Sequence, residues 1–156
     1  MAYAGDIRVV DFPGLRRIRR QLSKFLAAKN LRGIVFVVNS ANLDVREAAE
    51  LMYDVLTDRN VDDGDVEMLI AANKSDLATS LSSSDVHKAF EVELDALKTT
   101  RATMGSGRDD ETRVLLGTKD RAFTFDEDAT CLVSSASISA KDGDISGVKD
   151  WFESLK

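Results

Sequence analysis

The sequence predicts an α/β protein built on an open, parallel sheet, and three observations predict it. Four short β-branched runs lack the polar alternation of a half-solvated strand, the pattern of strands buried on both faces. Between them lie stretches whose apolar residues repeat at helical spacing. Strand and helix then alternate along the chain, as parallel neighbours joined by crossovers require. The ligands of such a sheet sit at the carboxyl ends of its strands. The residues that follow each strand are therefore the candidates for function.

The predicted strands are residues 6–11 ("DIRVVD"), 33–39 ("GIVFVVN"), 66–73 ("VEMLIAAN") and 130–135 ("TCLVSS"). Leu15, Ile18, Leu22, Phe25 and Leu26 share one face of a first helix, and Val45, Ala48, Ala49, Met52, Val55 and Leu56 share a face of a second. Val86, Phe90, Leu94 and Leu97 mark a third, with Ser82, Ser83 and Ser84 as candidate caps, and Val148, Trp151, Phe152 and Leu155 mark a fourth after Asp144. Residues 99–129 are polar and aperiodic, and read as a mobile insertion with a short strand at "AFTF". The "GSG" inside it, Gly105 to Gly107, follows no strand and is closed by no Lys-Ser/Thr, so it reads as a surface loop.

Composition bounds the answer further. The chain has 156 residues, 44% of them hydrophobic and 31% charged, which suits one globular domain with a buried core. A formal charge of −6 and a pI near 4.8 argue against a general binder of nucleic-acid backbones. One cysteine, Cys131, excludes an internal disulfide, and with His87 as the single histidine no Cys/His metal cluster is available. No apolar run approaches the roughly twenty residues that cross a bilayer, and "MAYAGDIR" lacks the features of a signal peptide. The chain as given reads as soluble.

The most specific signal is "NKSD", Asn73 to Asp76, placed directly after an apolar strand. Asn-Lys-x-Asp arises by chance in about one chain of this length in fifty. Its side chains suit guanine. Asp76 can accept from the two donors N1 and N2, Lys74 can lay its methylene stem over the ring, and Asn73 can tie loops together or meet N7. The plain alternative is a polar turn between strand and helix. "DFPG", Asp11 to Gly14, is weaker alone, yet it stands in the right order before Asn73. A carboxylate there can hold a magnesium-bound water, and the Gly14 amide can approach a γ-phosphate unobstructed. Leu15 follows, where a hydrolysing site needs a polar side chain to orient water. A third loop should offer backbone amides to the base after the last strand. Ser135 and Ala136 of "VSSAS" are assigned to it, with "SAK", Ser139 to Lys141, as the competing choice.

These motifs, with "GIVFVVNSANL", "AAELMYDVLTD", "MLIAANKSDLATS" and "ISGVKDWFESL", make the chain resemble the family of signal recognition particle receptor β subunits from Asp6 to Leu155. The resemblance implies a P-loop-NTPase-like, small-G-protein domain of Ras/Arf type that binds GTP and Mg2+. It also implies attachment to the cytosolic face of the endoplasmic reticulum membrane by an N-terminal helix, a role in cotranslational targeting, and nucleotide-dependent binding of the receptor's α subunit. No direct nucleic-acid contact is implied. Asp11 and Gly14 fall in its switch region, with Asp11 as the metal-side residue, and Asn73, Lys74 and Asp76 fall in its guanine-specificity loop. Leu15 departs from the His common in the family, so little or no intrinsic hydrolysis is expected.

A larger departure concerns the phosphates. In that fold the first strand and the Gly-Lys-Ser/Thr loop precede the segment matched here, and that loop supplies most of the phosphate grip. The same first strand lies between the strands that here read "DIRVVD" and "GIVFVVN". The domain is therefore expected to be an N-terminally incomplete G domain over residues 1–156, with residues 99–129 as an insertion. A truncated reading, a fragment or a partner strand filling the gap are the explanations weighed. The competing function is a nucleotide-free G-domain remnant that serves as a protein scaffold. Of the remaining features, the basic run Arg16, Arg17, Arg19, Arg20 and Lys24 reads as a solvated helix face or a surface for an acidic partner. Trp151 and Phe152 read as core anchors, and His87 and Cys131 as incidental.

Overall fold

In a computed structural model, which describes residues 2–4, 7–103, 114–118 and 120–155, a three-stranded parallel sheet runs in the order β3 (Gly33–Asn39), β4 (Glu67–Asn73), β5 (Leu132–Ile138). The register pairs Gly33 with Glu67 and Glu67 with Leu132, and runs unbroken to Asn39, Asn73 and Ile138. β4 lies in the centre, and Met68 to Ala72 are buried without exception. Met68, Ile70 and Ala72 join the main core with α2 (Val45–Leu56) and α4 (Ser83–Thr103). Leu69 and Ala71 are buried on the opposite face, where α6 (Ser146–Ser154) packs. That packing is close. A Cβ on Gly147 would stand 2.7 Å from Ala136 Cβ, and one on Gly33 would stand 2.5 Å from the Trp151 ring.

The helices follow from their sequence. α2 starts where the Asp44 carboxylate accepts from the Glu47 amide at 3.0 Å, and buries Ala49, Met52, Val55 and Leu56 along one stripe. Ser82 caps α4: its Oγ accepts from the Asp85 amide at 3.1 Å and donates to the Asp85 carboxylate at 2.6 Å. Val86, Phe90 and Leu94 on the next turns are fully buried. A single turn, α3 (Arg59–Asp62), caps the end of α2 and buries Val61.

Two expectations are corrected. The run "DIRVVD" does not enter the parallel sheet: β2 (Ile7–Val9) pairs antiparallel with β1 (Ala2–Ala4) in a separate two-stranded sheet. Among the described residues β3 has β4 as its one ladder partner. The Arg32 carbonyl accepts from Glu67 N and Ser40 N donates to the Asn73 carbonyl, so the even-numbered residues between them face β4. The backbone groups of Gly33, Val35, Val37 and Asn39 consequently face an open edge, and the Val37 side chain is 59% exposed.

The second correction concerns residues 99–129. α4 continues through Thr103, and "AFTF" forms no strand. Phe123 and Phe125 are buried, and Phe125 opens a short helix, α5 (Phe125–Asp128). Side chains of α4 hold this stretch: Asp95 accepts from Phe123 N at 2.9 Å, Glu91 accepts from Phe125 N at 3.0 Å, and buried Lys98 donates to the Arg121 carbonyl at 2.8 Å. Within the stretch itself, buried Asp128 accepts from Thr124 N at 3.0 Å, so a polar residue here serves packing. His87 has a place in the same packing, 4.6 Å edge-on from the Phe125 ring. The "GSG" lies outside the described residues.

Candidate functional site

The carboxyl ends of β4 and β5 meet, and the loops after them are knitted together. Asn73 ends β4 and its Oδ1 accepts from Lys74 N at 2.8 Å and from Ala140 N at 3.1 Å. Asp76 accepts from Ser139 Oγ at 3.0 Å through one oxygen and from Lys141 Nζ at 3.3 Å through the other. Backbone bonds repeat the linkage, with Ser75 N donating to the Ile138 carbonyl at 3.0 Å. Lys74 sits at φ +75°, the one non-glycine residue with positive φ among those described. That conformation costs an ordinary side chain about 1–2 kcal/mol and is kept where surrounding structure over-determines it.

Asp76 has a low proton affinity for a stated reason. The Ser139 hydroxyl bond, aided by Lys141, holds its carboxyl below the usual carboxylate range against the opposing effect of burial. The group is thus an ionised acceptor at neutral pH. Each oxygen uses one lone pair on the second loop and keeps another for an incoming donor.

The assignment of Ser135 and Ala136 to the loop after the last strand is corrected by the length of β5. Both lie mid-strand, opposite Ile70 and Ala71. Two of the residues that continue the strand fit its close packing: Ala136 sits under Gly147, and Ser137 Oγ accepts from Ser83 N at 3.0 Å. The residues beyond the strand that reach Asn73 and Asp76 are Ser139, Ala140 and Lys141. Sequence held the signal in "SAK", Ser139 to Lys141, the competing choice, which the unbroken pairing of β5 with β4 to Ile138 places just beyond the strand. A hairpin-like closure with a bridge between Ser139 and Asp144 and Gly143 at φ +75° fixes the loop.

Ser40 escaped sequence reasoning. It is buried, and its Oγ donates to the Asn73 carbonyl at 2.8 Å, tying the end of β3 to the end of β4. Its neighbour Asn39 carries a buried Oδ1 with no partner among the described residues.

The other candidate residues stand apart. Asp11 and Gly14 are exposed in the segment after β2, and a Cβ at Gly14 would meet nothing within 4 Å. Leu15 is 54% exposed and precedes a 3-10 turn, Arg16–Gln21, that runs into α1 (Leu22–Leu26). The predicted apolar face of this helix is narrower than expected: Ile18 and Leu22 are half-buried and Leu26 is buried, while Leu15 and Phe25 face outward. Glu47 on α2 anchors the turn by accepting from Arg16 Nε at 2.8 Å and from Arg19 at 3.2 Å.

Comparison with known proteins gives this geometry a family. The model of the signal recognition particle receptor beta subunit matches residues 3–130. The chain belongs to that family. It is 31% identical to the mouse signal recognition particle receptor subunit beta over 162 aligned positions, and 32% identical to the human one. Each alignment covers 96% of this chain and 59% of the relative, so the chain spans about three-fifths of the length of these curated relatives. The structure of the mammalian SRP receptor superposes with a TM-score of 0.76 at 30% identity, covering 94% of this chain and 72% of that one. A Chaetomium thermophilum receptor SRb with GDP and Mg superposes with a TM-score of 0.71 at 23% identity, covering 92% and 75%. The fold is accordingly the α/β small-G-protein fold. Among the described residues no helix is long and apolar enough to cross a membrane.

Proposed function

We propose that this chain is the guanine-reading part of a signal recognition particle receptor β subunit, which binds the receptor's α subunit in a nucleotide-dependent way at the cytosolic face of the endoplasmic reticulum membrane. One observation carries the reading: Asn73 and Asp76 are preset by Ser139, Ala140 and Lys141 before any ligand arrives. Asp76 would accept from N1 and N2 of the base, a donor pair that adenine lacks, and Lys74, held at positive φ, would cover the ring. Asp11 would face Mg2+ through water and Gly14 the γ-phosphate. A magnesium ion of this kind takes one or two carboxylates plus phosphate oxygens and waters, so it needs no carboxylate cluster. Leu15 offers no group to orient water, and slow turnover follows.

The scaffold reading has its own support in the separation of β2 from the parallel sheet, because among the described residues no strand pairing ties the Asp11 loop to the β4 end. The deciding experiment joins the Gly-Lys-Ser/Thr segment of a family relative ahead of this chain and measures GTP and XTP affinity by calorimetry. The chimera should bind GTP, and Asp76→Asn should reverse its preference toward XTP, since the substitution replaces an acceptor with a donor. A variant that still chose GTP would remove Asp76 from the site. No guanine binding in any form would leave the scaffold.

A further inference from the structure

Ser40 stands just past the end of β3, buried to 1% exposure, and its polar atoms bond across to the loop that follows β4. Its amide and its hydroxyl both donate to the Asn73 carbonyl, at 2.9 and 2.8 Å, and its own carbonyl accepts from Leu81 N at 3.0 Å. One residue thus holds both ends of the segment that carries Lys74 and Asp76. The carbonyl it holds belongs to the peptide unit that joins Asn73 to Lys74. The amide of the same unit is held too, since Lys74 N donates to Asn73 Oδ1 at 2.8 Å, and that oxygen is engaged in turn by Ala140 N at 3.1 Å. Peptide units are planar, so bonds at the carbonyl and at the amide fix the orientation of the whole plane. That orientation decides the φ of Lys74. Turning the plane over would release Lys74 from φ +75° to the negative φ that side-chain-bearing residues prefer, at the cost of the bonds on both its edges. Any residue at position 40 other than proline would supply the amide; the hydroxyl is what serine adds.

We propose that Ser40 is a positioning residue for the loop after β4: its hydroxyl locks the Asn73–Lys74 peptide plane, keeps Lys74 left-handed before a nucleotide arrives, and so sets the affinity for the base. The inference rests on the reading of that loop as a guanine site. It adds that the loop is preset from a different strand, by a buried side chain acting through the Asn73 carbonyl. A loop that already holds its bound shape loses less freedom when the ligand enters, so the clamp acts on affinity and not only on stability.

The test pairs a conformational readout on the full 156-residue chain with GTP affinity of the chimera that carries the Gly-Lys-Ser/Thr segment. A residue at positive φ gives a strong NOE between its own amide and Hα protons, so NMR reports the Lys74 conformer directly. Ser40→Ala should weaken that signal and lower GTP affinity about fivefold to tenfold, the effect of one hydrogen bond. Ser40→Cys fills the site with a weaker donor and should behave like the alanine variant; it separates the bond from the cavity and keeps the test valid if Ser40→Ala folds poorly. Lys74→Gly removes the need for the clamp, because glycine takes positive φ freely. In that background Ser40→Ala should change GTP affinity by less than about twofold, whereas a purely structural loss would persist undiminished. An unchanged Lys74 signal in both Ser40 variants overturns the proposal, as does an equal loss of affinity with lysine and with glycine at position 74. Asp76→Asn keeps the two readings apart. If that variant turns to XTP while Ser40→Ala changes nothing, Ser40 alone is refuted; if Asp76→Asn leaves the preference for GTP intact, the guanine site falls and the binding role of Ser40 falls with it.

Discussion

The two ends of this molecule are built to different standards. At the β4–β5 end, side chain and backbone bonds join Asn73, Ser75 and Asp76 to the β5 end and the loop beyond it, and Ser40 brings in β3. The central strand beneath, β4, is buried on both faces. At the other end, β1 and β2 form a ribbon of their own, Asp11 to Leu15 are largely exposed, and the turn that follows is held by Leu26 and by Glu47, with Glu50 reaching Arg16 at 4.0 Å. The contrast teaches that one fold can hold a loop cluster braced from several sides beside a segment carried by few contacts.

The largest expected effect tests this contrast by stability. Phe90, fully buried and edge-on to Phe36 at 5.9 Å, anchors the well-built end. Phe90→Ala should destabilise the fold by about 3–5 kcal/mol in urea denaturation, as large cavities do. Ile18→Ala in the half-buried turn should cost only about 1 kcal/mol. Equal losses would mean that the two ends form one cooperative unit. The next effect lies within β3. Amides of Val35, Val37 and Asn39 face the open edge and should exchange with deuterium roughly a hundredfold faster than those of Ile34, Phe36 and Val38, which bond to β4. Uniform protection along β3 would reveal a strand covering that edge.

The sequence was most legible where the pattern was dictated by burial on both sides, as in Glu67–Asn73, whose run admits no polar residue except at its ends; Gly33–Asn39 has the same pattern, yet Val37 is 59% exposed. The loop after β4 was legible as a candidate because Asn73, Lys74 and Asp76 form a rare combination at a strand end, and the structure ties Asn73 and Asp76 to the neighbouring loop. Legibility failed where polar residues did structural work. β5 continued past Ser135, where Ala136 packs closely under Gly147 and Ser137 bonds Ser83 N, and residues 120–129, read as a mobile insertion, are anchored by Asp95, Glu91 and Lys98 of α4. It failed also for "DIRVVD", whose composition fits any strand and says nothing of its partner. A hydrophobic run specifies burial, and pairing is decided elsewhere in the chain.

A subtler effect concerns the bracing of Asp76. Its carboxyl is lowered chiefly by the Ser139 hydroxyl, so Ser139→Ala should raise its pKa, readable by NMR titration of the side-chain carbonyl. Because the folded value lies below the unfolded one of about 3.9, these contacts contribute fully above that pH and are lost as pH falls through the folded value. Acid should therefore loosen the β4–β5 end, and Ser139→Ala should shift that loosening to higher pH. An unchanged titration would mean that Lys141 alone sets the charge.

The smallest effect tests how the exposed turn is held. Glu47 accepts from both Arg16 and Arg19 while its own amide is engaged by Asp44, so its carboxylate is fixed on the first turn of α2. Arg16 is 67% exposed at the side chain, and ion pairs so exposed contribute little to global stability because water and salt screen them. Glu47→Gln should consequently leave the denaturation midpoint nearly unchanged. Its effect should be local, since the turn then keeps the longer Arg16–Glu50 contact at 4.0 Å and the packing of Leu22 and Leu26 to hold it. Trypsin cleavage after Arg17 and Arg20 should accelerate at low salt, and the variant at low salt should match the unsubstituted protein at high salt, where the pair is already screened. If cleavage rates were the same for both proteins at every salt concentration, the apolar stripe alone would hold the turn, and Glu47 would have no part in positioning the segment that follows Asp11.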